Sequence, residues 1–309
     1  MTVSFIVIAY NEQRMIAQTI EAILAQQNLP EHEIIVVNDG SRDKTLAIVQ
    51  ERAAKHPSIA IIDQPNKGRG AARAVGVRAA KGDYLAFIDG DILLPPDWLQ
   101  RCLAYMKEYD AVGGIAVPDG DVAFVHRVAH LKPKAASHTV SVSGGNGLFK
   151  RQVFDKVGFE ADRRNGEDVA FNRAMTEHGL RTTSIPDLLV EHCEYKNYRT
   201  SLSWLFESGQ GASRQLYEQR RLRLPDIAFF GFVIGVIVAI IFGLLTGWWW
   251  LSGLAVFLYV TASSFMHLRE KFYLNNLPTA ISGIIINDSL LVSYYIGRLA
   301  GVFTEWNKR

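Results

Sequence analysis

The first hundred residues alternate two hydrophobic periods. Val3–Ala9 is a continuous apolar run rich in β-branched residues, and Glu12–Gln27 repeats apolar residues at helical spacing through Ile16, Ile20, Ile23 and Leu24. The same alternation continues with strand Glu33–Val37, helix Lys44–Lys55, strand Ile59–Ile62, the Ala-rich helix Arg69–Ala80 and strand Tyr84–Ile88. Pro95-Pro96 then start a helix over Pro96–Lys107, and a further strand runs near Asp110–Val117. Strands alternating with crossover helices predict an α/β fold, a Rossmann-like, mostly parallel sheet covered by helices on both faces. The opening Met1–Tyr10 has no basic stretch ahead of its apolar run and passes straight into Asn11-Glu12. It reads as a buried first strand rather than a signal peptide, which assigns this part of the chain to the cytoplasm.

Beyond Asp121 the pattern loosens. The expectations are a helix over Asp121–Lys134, a small-residue loop over Ser141–Gly147, a helix over Glu167–His178, a short strand Leu188–Val190 and a helix over Arg199–Leu222. No internal repeat and no low-complexity linker is evident.

Composition changes this picture in one place. The chain has 309 residues, 33 basic and 31 acidic side chains, and a formal charge of +2. These charges are unevenly spread: residues 227–266 contain no Asp, Glu, Lys or Arg. The earlier part is charge-balanced, which excludes a strongly basic nucleic-acid binder, a disordered chain and a disulfide scaffold. Cys102 and Cys193 lack zinc or CxxC spacing and read as reduced thiols. The expected domains are 1–225 (a nucleotide half to about 117 and an acceptor half over 118–225), a transmembrane hairpin over 226–267, and 268–309 beyond it.

In a parallel sheet of this kind, ligands bind beyond the carboxyl ends of the strands. There the chain places Ala9-Tyr10-Asn11-Glu12, Asn38-Asp39-Gly40-Ser41 and Asp89-Gly90-Asp91. A lone carboxylate such as Asp39 commonly caps a helix or forms an Asx turn. Asp89 and Asp91 differ, because Gly90 lets both carboxylates approach one point and a cation is then needed to offset their repulsion. Hard oxygen donors suit Mg2+ or Mn2+, which bring substrate phosphates with them, and a nucleotide sugar supplies a diphosphate. Asn66-Lys67-Gly68 with Arg69, Gly70 and Arg73 opens a helix whose N-terminus and cations suit a diphosphate equally well.

Taken in order, YNE, NDGS, NKGRGAAR, DGD, GGNG and ED resemble an inverting glycosyltransferase of family 2 with the GT-A fold, over about Val3–Arg214. The resemblance implies that Ala9, Tyr10, Asn11 and Glu12 line a nucleotide pocket and that Asp39 accepts a hydrogen bond from the base. It implies that Lys67, Gly68, Arg69 and Arg73 lie near the diphosphate. Asp91 would be the direct metal ligand, with Asp89 and Gly90 beside the sugar or ribose and Asp89 a further candidate for the metal. His192, following a strand in VEHC, would be a third ligand. Gly145, Asn146 and Gly147 would form the acceptor-side loop. Asp168 would be the general base that takes the acceptor proton, with Glu167 orienting the loop or the acceptor. Arg199 and Gly209–Arg214 resemble the basic helix that closes the donor site. They lack the QxxRW pattern of processive synthases, which favours transfer of a single sugar.

The uncharged block divides into Ile227–Leu245 and Trp248–Met266 around Thr246-Gly247, each long enough to cross a bilayer. Arg220, Arg221 and Arg223 before the hairpin, and Arg269 and Lys271 after it, place both ends in the cytoplasm at an inner membrane. In Ile281–Phe303 the polar residues Asn287, Tyr294, Arg298 and Glu305 recur as one stripe. A third span would also put Lys308 and Arg309 outside, so an interfacial amphipathic helix is expected.

Three functions compete. The first is transfer from a UDP- or GDP-linked sugar to a hydroxyl of a lipid-linked or surface saccharide, with membrane lipid as a partner and no nucleic acid. The second is a polyprenyl-phosphate sugar transferase, whose ionised acceptor needs no base and leaves ED unexplained. The third is a non-catalytic membrane subunit, which predicts losses among the site residues that do not occur. The residues do not specify the sugar, the acceptor or the oligomeric state.

Overall fold

The computed structural model describes residues 1–118, 142, 144–163, 165–193, 197–219, 224–268 and 277–306. The expected helix over 121–134, and the basic residues Arg220, Arg221, Arg223, Arg269, Lys271, Lys308 and Arg309, lie outside the described residues. The described residues form two compact units, one up to residue 193 and one from residue 197 onward.

The first unit is a mixed α/β sheet of eight strands in the order β3-β2-β1-β4-β7-β6-β8-β5. The strands are β1 (Thr2–Ala9), β2 (Glu31–Asp39), β3 (Ile59–Gln64), β4 (Tyr84–Asp89), β5 (Ile92–Leu93), β6 (Ala111–Pro118), β7 (Asn146–Lys150) and β8 (Thr182–His192). Strands β1 to β4 are parallel, and β6 pairs in parallel with β8. Strand β7 runs antiparallel between β4 and β6, and β5 antiparallel to β8. Flanking helices are α1 (Ile16–Leu24), α2 (Thr45–Lys55), α3 (Arg69–Ala79), α4 (Trp98–Tyr105) and α5 (Glu167–Glu177).

The continuous apolar runs follow from burial on both faces. Along β1, Val3, Phe5, Val7 and Ala9 enter the core shared with Ile16, Ile20 and Ile23 of α1 and Trp98 of α4. Ile6 and Ile8 point the other way, into a second core with Ala72 of α3 and Phe171 and Met175 of α5. The period of two along the strand thus serves two helical layers.

Three strands depart from expectation. Strand β8 is much longer than Leu188–Val190, because Thr182, Thr183 and Ser184 pair with β6 despite their polarity. The register between β6 and β8 shifts after Gly113, and Pro186 and Asp187 occupy the irregular stretch. Strands β5 and β7 were not expected. The loop expected over Ser141–Gly147 ends early, since Asn146 and Gly147 already pair with Ile88 and Phe87 of β4.

The second unit contains four helices: α6 (Tyr198–Gln219), α7 (Leu224–Thr246), α8 (Trp249–Leu268) and α9 (Leu277–Trp306). The boundary expected at 225 falls inside it. Helices α6 and α9 run in the same direction in close backbone contact. A Cβ on Gly297 would strike the Phe206 carbonyl, and one on Gly301 would meet Gln210 Cα at 2.8 Å. Helices α7 and α8 form an antiparallel hairpin around Gly247, whose φ of +71° suits glycine. Ser252 Oγ donates to the Ala239 carbonyl at 2.6 Å and Tyr259 OH to that of Ala228 at 2.8 Å.

Among the described residues one helix, Asp226–Thr246, is long and apolar enough to cross a membrane, and Trp249–Ala262 is apolar but shorter. The first of the two equal spans expected from the sequence is Asp226–Thr246, and the second, from Trp249 on, lies within the 20-residue α8. Ile281–Phe303 lies within the 30-residue α9.

Candidate active site

The carboxyl ends of β1, β2 and β4, the first residue of β7 and the end of β8 share one edge of the sheet. Asn146 pairs with Ile88, and His192 with Ile92. The predicted motifs therefore converge as the topology requires.

At the end of β1, Asn11 takes φ +61°, a conformation Asn tolerates better than most residues. Its backbone N–H donates to Ser41 Oγ at 3.0 Å, and its Oδ1 accepts from Arg42 N at 2.8 Å. The Glu12 N–H donates to Thr45 Oγ1 at 2.8 Å. The YNE turn is thereby tied to the loop after β2, and Tyr10 is left 42% exposed at its tip.

Asp39, expected to bind a base, already carries a structural load. Its Oδ1 accepts from Gln64 Nε2 at 2.6 Å and Lys67 N at 3.0 Å, and its Oδ2 from Gly68 N at 2.8 Å. This carboxylate thus shapes the turn leading into α3, where Gly68 takes φ +91°. Replacing Asp39 with Ala leaves the part-buried N–H groups of Lys67 and Gly68 without this acceptor, and a loss of about 1–3 kcal/mol is expected in urea unfolding.

Arg73 is the largest departure from the sequence reading. It is 1% exposed, so it does not reach out to a diphosphate. It pairs with Asp89 Oδ1 at 2.9 Å and also with Glu167 Oε1. Burial alone would lower its pKa, but Asp89, Glu167 and Asp168 outweigh that and raise it, so the guanidinium stays charged. Arg69, one helical turn earlier, is 3.4 Å from the same Glu167 oxygen and 3.3 Å from Asn165 Oδ1. Arg69 remains partly exposed, and its side chain is still available to an anion.

Glu167 and Asp168 begin α5 behind Gly166, whose φ is +71°. Glu167 is 1% exposed, and its Oε2 has no hydrogen-bond partner. Asp168 is half-buried, and its Oδ1 accepts from Val169 N at 2.8 Å. Asn172, overlooked in the sequence, stands one turn further on the same face. Its Oδ1 accepts from Val142 N and its Nδ2 donates to the Val142 carbonyl, both at 2.9 Å, fastening the stretch before GGNG to α5. The i to i+4 spacing from Asp168 was the available signal.

Asn146 sits fully buried at the start of β7 and not in an open loop. Its Oδ1 accepts from Gly114 N at 2.8 Å, while its Nδ2 has no partner. Gly145 lies against Asp89: its carbonyl accepts from Asp89 N at 3.0 Å, and a Cβ on it would collide with the Asp89 carboxylate. Gly147 is a strand residue inside the sheet. Gly90 hydrogen-bonds back to the Ile8 carbonyl at 2.9 Å, and a Cβ there would meet Glu12 Cγ at 3.0 Å.

Asp91 Oδ2 stands 3.2 Å from His192 Nε2, and the Asp91 carbonyl accepts from Cys193 N at 2.8 Å. Two donors bound side by side to one octahedral Mg2+ or Mn2+, at ~2.1 Å each, stand about 3.0 Å apart, so this pair fits a shared ion. Asp89 is turned instead toward Arg73. No group of three or more His, Cys, Asp or Glu among the described residues is placed to hold a metal. Of the expected set of Asp89, Asp91 and His192, the structure brings Asp91 and His192 together and turns Asp89 away.

The model of the family "Glycosyl transferase family 2" matches residues 4–158, which span β1 to β7 and every strand-end motif up to GGNG. The chain belongs to glycosyl transferase family 2. It is 28% identical over 225 residues to an uncharacterized glycosyltransferase, EpsJ, of Bacillus subtilis, covering 65% of this chain and 64% of that one. It is 32% identical over 206 residues to a dolichyl-phosphate beta-glucosyltransferase, ALG5D, of Trichomonas vaginalis, covering 61% and 60%. The chain thus spans less than two thirds of the length of each of these relatives. In fold it is similar to the mannosyltransferase PcManGT from Pyrobaculum calidifontis, solved with GDP-Man and Mn2+. That likeness has a TM-score of 0.60 at 21% identity over 99% of this chain and 88% of the other. The family-2 chain therefore has a GT-A-like fold. Its Arg199 and Gly209–Arg214 lie on α6 of the second unit, where Gly209 packs against the Tyr294 carbonyl of α9.

Proposed function

We propose that this family-2 enzyme is an inverting transferase that moves one sugar from a UDP- or GDP-linked donor to a hydroxyl of a lipid-linked or surface saccharide. The observation that carries the reading is the Asp89–Arg73–Glu167 bridge, which ties the DGD turn to the ED helix start at one edge of the sheet. The donor would lie across the ends of β1, β2 and β4, with Tyr10 and the Asn11–Glu12 turn beside the base. Asp91 and His192 would hold the divalent metal, which supplies positive charge to the departing diphosphate when bound. Arg69 and the N-terminus of α3 face the same anion.

In a single displacement the acceptor hydroxyl attacks the anomeric carbon from the side opposite the diphosphate. Asp168 takes the hydroxyl proton as the new C–O bond forms and the bond to the diphosphate breaks. Glu167 orients the start of α5, and with it Asp168, through its pair with Arg73, and Asn146 holds the acceptor-side segment through Gly114 N. The apolar α7 supports a membrane location, and the placement of the catalytic unit on the cytoplasmic side rests on the basic residues read from the sequence. The multi-pass inner-membrane arrangement, with α7 and α8 as a spanning pair, is part of this proposal.

A thermal-shift titration tests the donor site directly. UDP or GDP is expected to raise the melting temperature in the presence of Mn2+ and much less in EDTA. At 100 times Kd the stabilisation should be about 2.7 kcal/mol. Asp91→Asn should abolish the metal-dependent part, and no shift with any nucleotide would remove the donor site. A second reading, sugar transfer to a polyprenyl phosphate, is favoured by the likeness to the dolichyl-phosphate enzyme. Parallel assays with undecaprenyl phosphate and with a saccharide-bearing lipid separate the two.

A further inference from the structure

Helix α9 exposes its apolar side and buries its polar one. At about 100° per residue, Ile281, Ile285, Ile296, Leu299, Phe303 and Trp306 fall within a sector of ~80°. All six are exposed, by 41% to 70%. The opposite side carries the stripe that a surface helix would turn to water, yet Asn287 is 6% exposed and Arg298 fully buried. Arg298 pairs with the equally buried Asp226 of α7 at 2.6 Å, and its guanidinium lies 4.7 Å over the Phe229 ring. Ser213 of α6 donates to the Arg298 carbonyl at 2.7 Å. The polar stripe is thus spent on holding three helices together, and the six exposed residues of the apolar sector face away from them, while Asp288 in the same sector turns to α8.

The contacts also set the direction of α9 across the hairpin. Tyr259 OH bonds the Ala228 carbonyl, so residues 226–228 and 259 lie at one end of the α7–α8 pair. Helix α9 meets that end twice. Arg298 reaches Asp226, and Thr261 Oγ1 donates to Asp288 Oδ2 at 3.0 Å. Residues 288 and 298 are ~15 Å apart along the axis. Between them the Tyr295 ring stacks 4.8 Å from that of Phe232. A helix that touches α8 through residue 288 and α7 through residue 298, both near one end, crosses the base of the hairpin and does not run beside it.

We infer that α9 is an in-plane membrane helix whose face from Ile281 to Trp306 rests on the acyl chains of a phospholipid bilayer. The face is about 38 Å long, longer than monomers leave to water, and belongs to the same compact unit as the apolar α7. Trp306 at its end suits the headgroup boundary. The inference rests on the reading of α7 as a membrane helix. It differs from the sequence expectation in one respect: the polar stripe faces protein, so the depth of α9 is fixed by Asp226 and α6 as well as by its own amphipathicity.

The test uses the full chain in phosphatidylcholine–phosphatidylglycerol vesicles. The variants are Ile285→Cys, Leu299→Cys and Val238→Cys, each labelled with an environment-sensitive NBD probe. Cys102 and Cys193 are both buried, and the labelled parent serves as the blank. Nitroxide lipids carry the quencher either shallow or deep in the acyl chain. The expected result is equal quenching at 285 and 299, at least twofold stronger with the shallow lipid, and the reverse preference at 238. Water-like emission at 285 and 299 with 238 quenched overturns the inference and leaves the anchor standing. Unequal depth at 285 and 299 overturns it in favour of a crossing helix. Blue-shifted emission insensitive to either lipid overturns it in favour of a second copy of the chain. An unquenched 238 overturns the membrane reading itself, and the inference with it.

Discussion

Asp168→Asn is expected to lower kcat roughly 10²–10⁴-fold for a hydroxyl acceptor, with little change in donor KM. The substitution is close to isosteric, and the backbone of position 168 keeps its role. Its carbonyl still accepts from Asn172 Nδ2 at 2.9 Å, and the amide oxygen of Asn can still accept from Val169 N. What disappears is the capacity to take a proton. The loss of one charge at the first turn of α5 costs about 0.3–1 kcal/mol through the helix dipole, too little to unfold the domain. Rate and stability therefore separate in this variant. A polyprenyl phosphate acceptor carries no proton to remove, and for it the same variant should stay near the parent rate. Nucleoside diphosphate release with both acceptors reads the difference. Parental kcat with a saccharide hydroxyl would sink Asp168 as the base.

The legibility of the fold differed between the two halves of the sheet for a physical reason. Strands β1 to β4 are parallel and buried on both faces, so each is a near-continuous apolar run between helix signals. Strand β7 begins with buried Asn146 and Gly147, residues that look like a turn when their partners in β4 and β6 are unknown. Strand β8 carries Pro186 and Asp187 in its irregular stretch, and a linear reading stops there. The apolar helices α7 and α8 were legible as composition. The direction in which α9 turns its stripe depends on Asp226, 72 residues away, and no local period could supply it.

The strand-end residues were legible as one edge of the sheet, and the contacts each makes were less so. Asp91 and His192 stand together as a pair, because β5 and β8 bring the DGD turn against VEHC. Asp39 was read as ligand-facing from the family resemblance, and Arg73 from its place in the first turns of a helix. Each is instead engaged by neighbours the sequence does not display: Asp39 by the backbone before α3, and Arg73 by two carboxylates from distant segments.

Arg73→Met follows from that last point and carries the largest expected effect on stability, about 3–5 kcal/mol in urea unfolding. Methionine fills much of the arginine volume, so the cavity left behind is small. The damage comes from Glu167, 1% exposed, which keeps one oxygen already without a partner and loses the hydrogen-bonded partner of the other, leaving only Arg69 at 3.4 Å. For a domain of this size the loss corresponds to roughly 6–20 °C in Tm. Because the guanidinium pKa is raised, the bridge does not weaken on the alkaline side, and the gap between parent and variant should persist at high pH. A double variant, Arg73→Met with Glu167→Gln, removes both charges and should recover part of the loss, which a simple packing defect would not allow. A midpoint for Arg73→Met within about 1 kcal/mol of the parent would mean that the bridge does not hold the DGD turn to the ED helix. The convergence of the site would then need another cause.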